Sequence, residues 1–140
     1  MFLTIDDYKP VCDSRELEIL QQADTLTRER GEAAAIEEIS SYLRTRYDIN
    51  KAFKAVGDDR NPFLVQICVN VCLFYLVQWL PQRMSTEKRE KLYDKAIKWC
   101  VNVQNGKSSP DLPLHTTGDD NTNGSFPMYT GGMERQTYDW

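Results

Sequence analysis

Cys68 and Cys72 stand four residues apart, the spacing that brings two thiols to one face of a helix, and with Cys100 they could make a thiolate metal site. Zinc normally takes four ligands, often in paired loop spacings. Thiols in a stretch as apolar as this one, like Cys12 elsewhere, suit small core residues instead. The sole histidine, His115, falls between prolines and glycines, where no neighbouring element holds it against a nucleophile or fixes its tautomer. The acidic pairs Asp6 with Asp7, Glu37 with Glu38, Asp58 with Asp59 and Asp119 with Asp120 are adjacent, so their side chains diverge; they suit caps, loops and solvated faces. Gly131 and Gly132 introduce no helix and make no phosphate cradle. The expectation is a protein with no catalytic residues, no metal and no cofactor, and not an enzyme.

The remaining chemistry is that of binding. Lys88, Lys91, Lys95 and Lys98 recur at helical spacing and form a basic strip, partly balanced by Glu87 and by Asp94 four residues before Lys98. A solvated face and a surface facing a partner are both open readings of it. The final 34 residues, Lys107 to Trp140, are rich in Pro, Gly, Asn, Asp, Ser and Thr yet carry Phe126, Tyr129, Tyr138 and Trp140. Such a composition buries too little apolar surface to offset its own ordering entropy, so the tail is expected to be mobile when alone. It is either an ordinary disordered terminus or an arm whose four aromatics are buried against a neighbouring subunit. Fully extended it would reach roughly 110 Å.

Helices must position these groups. Thr4 and Asp7 are spaced as a capping pair before a first turn that Pro10 stops. Asp13 or Ser14 can cap a second helix through about Gln22, and Asp24, Thr25 and Thr27 suit caps for the next. Ala35, Ile36, Ile39, Leu43 and Tyr47 make the buried stripe of a third helix ending near "RYDIN", after which "VGDDRNP" is loop chemistry. Asn61 and Pro62 are a cap and first-position pair opening the most apolar stretch, closed by Pro81. About 19 residues would span roughly 28 Å, close to a bilayer's thickness. However, Gln66, Asn70 and Gln78 interrupt the run and no basic cluster flanks its start, so it reads as a central helix packed from several directions, not a membrane span. Ser85 or Thr86 can cap a last helix whose Leu92, Ala96, Trp99, Cys100 and Val103 share a face that Tyr93 and Ile97 widen. Asn105 and Gly106 give it a left-handed stop. The predicted fold is all-α: a small bundle of four to five helices around a central apolar helix at about 62–80. A helical domain covers 1–106 and an extended C-terminal arm 107–140.

Composition agrees with one ordinary globular domain, at 41% hydrophobic and 27% charged residues. The net charge of -4 divides unevenly, with 13 acids and 9 bases in residues 1–61, 3 and 6 in 62–106, and 5 and 2 in 107–140. This is no footprint of a protein built mainly to grip nucleic acid. The acidic opening "MFLTIDDYKP" resembles no export signal, so the chain is expected to stay in the cytoplasm with its four cysteines reduced.

Three stretches carry a family likeness: "AIEEISSYLRTRYD" at 35–48, "NPFLVQICVNVCLFYL" at 61–76 and "REKLYDKAIKWCVNVQNGKSSPDLPL" at 89–114. In these the chain resembles the small helical virion proteins typified by the gene 36 product of phage Mu, which are similar to head-tail connector proteins of long-tailed phages. The likeness covers most of residues 3–114 and leaves the tail beyond Leu114 outside it. It departs at "QQADTLTRERGE", where relatives often carry a "TD" turn; this helix-favouring run can lengthen helices two and three or merge them, and their boundary stays open. The resemblance implies a structural protein of the virion neck, present in the host cytoplasm during assembly. It would form a ring, of twelve copies, bound to the portal protein, to neighbouring copies and to downstream neck or tail proteins. DNA would pass through the ring without sequence specificity, and the lysine strip would face that DNA or the portal. A reading from another class also stands: a small cytoplasmic helical adaptor or regulator that binds a protein partner in a groove.

Overall fold

The computed structural model describes residues 2–22, 24–80 and 86–115, and they form a helical bundle. Six α-helices are found among the described residues: α1 (Ile5–Tyr8), α2 (Ser14–Leu20), α3 (Thr25–Leu43), α4 (Ile49–Lys54), α5 (Pro62–Gln78) and α6 (Thr86–Gln104). A short 3-10 turn at Gly57–Asp59 separates α4 from α5. The only β pairing among these residues is an isolated antiparallel bridge between Tyr47 and Leu114.

Helix α5 forms where the sequence predicts it, because Asn61 Oδ1 accepts from the backbone N–H of Phe63 at 3.0 Å and of Leu64 at 2.9 Å, and Pro62 lacks an N–H to satisfy. It is buried on most of its circumference, with Leu64, Cys68, Val71, Cys72, Leu73 and Leu76 fully inaccessible. The long helices α3 and α6 pack against it and against each other. Gly31 near the start of α3 meets Leu76 near the end of α5, while Phe63 at the start of α5 meets Trp99 near the end of α6. Thus α5 runs antiparallel to both partners, and α3 and α6 end at the same pole of the bundle. A Cβ on Gly31 would lie 3.1 Å from Leu76 Cδ2 and 3.2 Å from Cys72 Sγ, so the missing side chain is what lets α3 approach α5 closely.

Two local expectations change, and one open alternative is decided. The bundle has one helix more than the four to five predicted, because Asp48 caps α4 by accepting from Lys51 N–H, and Ile49 and Ala52 bury its inner side. Tyr47 does not extend the stripe of α3, which stops at Leu43; it is buried beyond the helix end, in the bridge to Leu114. Helices α2 and α3 do not merge. Leu20 ends the first, Gln22 takes a left-handed φ of 56°, and Asp24 caps the second by accepting from Leu26 N–H at 3.0 Å. All four cysteines are free and buried, as packing residues should be. Burial pushes the Cys12 thiol up to about 11 and those of Cys72 and Cys100 to about 12, which leaves them inert at neutral pH.

Candidate interaction site

The basic strip lies on the outer side of α6. Leu92, Ala96, Trp99, Cys100 and Val103 turn inward to varying depth, which leaves Lys88, Lys91, Lys95 and Lys98 all exposed. Lys91 is paired loosely with Glu87 at 3.7 Å, a contact between two solvated ends worth little. A shallow hollow of about 480 Å³ opens here, lined by Glu87, Lys88, Lys91, Leu92 and Lys95. On the apolar edge of the strip, Trp99 packs edge-on against Phe63 with ring centroids 5.2 Å apart, and Phe63 is still 46% exposed. Basic groups and a partly open apolar shelf therefore share one face.

Arg89 interrupts this run of lysines and behaves differently, being 2% exposed. It donates through Nη2 to Glu16 Oε2 at 2.7 Å and to the Val11 carbonyl at 3.3 Å, which ties α6 to α2 and to the α1–α2 connection. Its position seven residues before Ala96 places it on the buried stripe, a signal present in the sequence but masked by the surrounding charges. Glu32, seven before Ile39, is buried in the same way. Its Oε1 accepts from Tyr8 Oη at 2.7 Å and pairs with Arg28 Nε at 3.3 Å, while Oε2 has no partner among the described residues. Burial raises its carboxyl above the usual range despite the Tyr8 and Arg28 bonds. Glu38 accepts from two phenols, Tyr75 and Tyr93, each at 2.6 Å, and so links α3 to α5 and α6. These three charged residues act as internal ties, and neither the structure nor their burial makes them available to a ligand.

The other feature is the root of the arm. Gly106, at φ 81°, stops α6: Lys107 N–H donates to the Asn102 carbonyl at 2.8 Å and Gly106 N–H to that of Val103 at 3.1 Å, the paired bonds of a left-handed helix end. The chain then returns across its own bundle. Asn61 Nδ2 donates to the Asp111 carbonyl at 3.0 Å, Asp48 N–H donates to the Pro113 carbonyl at 2.8 Å, and Leu112 is buried. His115 is held, against expectation: its Nε2 lies 2.6 Å from the Arg44 carbonyl, an acceptor, so that nitrogen carries the proton. Sequence reasoning missed this latch because most of its acceptors are backbone carbonyls. Phe126, Tyr129, Tyr138 and Trp140 lie outside the described residues.

Among the described residues no group of three or more His, Cys, Asp or Glu side chains converges as metal ligands, and no helix is long and apolar enough to cross a membrane. The family model described as Bacteriophage Mu, Gp36 matches residues 4–128. The chain belongs to this phage Mu Gp36 family. The match runs past Leu114, where the likeness legible in the sequence stopped, and takes in the latch and Phe126. No curated protein and no solved structure matches the chain. Family membership makes it a phage protein, and the Gp36 fold, as seen here, is a small all-α bundle.

Proposed function

We propose that this Gp36-family protein is a head-tail connector of a tailed phage. It binds the portal, joins copies of itself into a neck ring of twelve, meets downstream neck or tail proteins, and performs no chemistry. DNA passes through the ring without its sequence being read. Besides the family, the observation that carries this reading is the arm root. A three-helix core with internal ionic ties supplies a rigid wedge, and the latched segment before residues 116–140, which hold all four aromatics of the arm, ends at one defined point beside Arg44. Those 25 residues extend to roughly 85 Å, enough to cross a neighbouring subunit. Phe126, Tyr129, Tyr138 and Trp140 anchor the arm there, and their burial offsets the entropy lost on docking.

The test is to complement a phage lacking this gene with a chain ending at His115. The truncated protein should be helical and folded by circular dichroism, yet missing from purified particles, which stay tailless. Normal incorporation of the truncated chain would refute the arm's role, and absence of the full-length protein from particles would refute the connector assignment.

A further inference from the structure

We infer that the exposed face of α6 built from Lys88, Lys91, Lys95 and Leu92, with the Phe63–Trp99 edge beside it, is the seat for the arm of an adjacent copy. This rests on the connector reading and adds the receiving surface to it.

Three observations converge on that occupant. The first is charge: residues 116–140 contain Asp119, Asp120, Glu134 and Asp139 against a single Arg135, while the strip presents its lysines outward, with the loose Lys91–Glu87 contact their one ion pair among the described residues. The second is the mixed character of the face. Acidic groups match the lysines, and the arm's aromatic rings match the apolar shelf formed by Leu92, Trp99 and the half-open Phe63 ring. Duplex or single-stranded DNA would use the lysines but would gain less from the shelf. The third is position. The arm departs beside Arg44 at the pole where α6 also ends, and the strip from Lys98 to Lys88 lies about 9 to 24 Å along the helix from that pole. Length does not limit the docking.

The experiment uses assembled particles. The photoreactive residue p-benzoylphenylalanine replaces Phe126 in the full chain, and particles are assembled from a mixture of 15N-labelled and unlabelled protein. Irradiation should join position 126 to peptides containing Lys91 to Trp99, with labelled and unlabelled chains in the same cross-link. Cross-links confined to one chain, to DNA, to another protein or to a different face, or none at all, would overturn the assignment. A second arm uses charge exchange. K88E/K91E/K95E should lower incorporation several-fold, more so at raised ionic strength, and D119K/D120K in the same chain should restore part of it. Failure of the restoring pair would count against the seat even if the triple variant folds poorly. Absence of the unmodified chain from particles is a separate result, which would sink the connector reading and this inference with it.

Discussion

Asp7, partly buried, and Glu32, fully buried, are both carboxylates with arginine partners, and their environments drive them in opposite directions. Burial alone would raise Asp7, but Arg60, donating at 2.6 and 3.2 Å, and the bonds from Thr4 outweigh it, and its carboxyl sits below the usual value. The folded state therefore prefers the ion. Its contribution is complete above the unfolded value and is lost as pH falls through the lowered one, in a window below about pH 4. Glu32 is raised, so the folded state prefers the acid. Its contribution is greatest below about pH 4 and declines as pH rises through the shifted value. Urea denaturation across a pH series should show the acid limb flattened in Asp7→Asn, with a loss of about 1.5 to 3 kcal/mol at neutral pH. In Glu32→Gln, the decline as pH rises above about 4 should be reduced. Parallel pH profiles for the two variants would contradict the opposing environments.

At the scale of elements, Asn61 has two duties: it caps α5 and it holds the Asp111 carbonyl of the returning chain. Asn61→Ala should cost about 1 to 2 kcal/mol through the cap. Amide exchange should also quicken at Asp48, whose N–H is bound to Pro113, because the latch loses one of its holds. Unchanged protection at Asp48 would separate the cap from the latch. Helix α5 was legible in the sequence because its start has a specific chemistry and its length is nearly all apolar. Helix α6 was legible through its stripe and its Asn-Gly stop, and the lysine strip followed from the same period. Helix α4 was not, since six residues with two buried positions do not stand out from the loop on either side. Glu38 and Arg89 were hidden for another reason: their partners are remote in the chain; Glu32 has Arg28 one turn earlier, but the Tyr8 phenol that completes its site is 24 residues away.

For the molecule as a whole, the boundary that matters for folding is not where α6 ends. Residues 107–115 contribute Leu112 to the core and cover the junction of α3, α4 and α5. A chain ending at His115 should unfold at nearly the same urea concentration as the full chain. One ending at Gly106 should lose about 2 to 4 kcal/mol, from the buried leucine and the bonds to Asp48 and Asn61. Equal midpoints for the two truncations would show that the returning segment adds nothing to stability.

Gly106 gives that geometry a lever. Its left-handed φ, with Arg46 Nη1 2.8 Å from where a Cβ would stand, is one torsion on which the path of residues 107–115 depends. A β-branched residue there would be strained by the left-handed backbone, the flexible Arg46 end moving aside for its Cβ, and the chain would turn off α6 along a different bearing. Residues 107–115 would then miss their docking points. The seating of residues 107–115 is thus set by a position that has no side chain of its own.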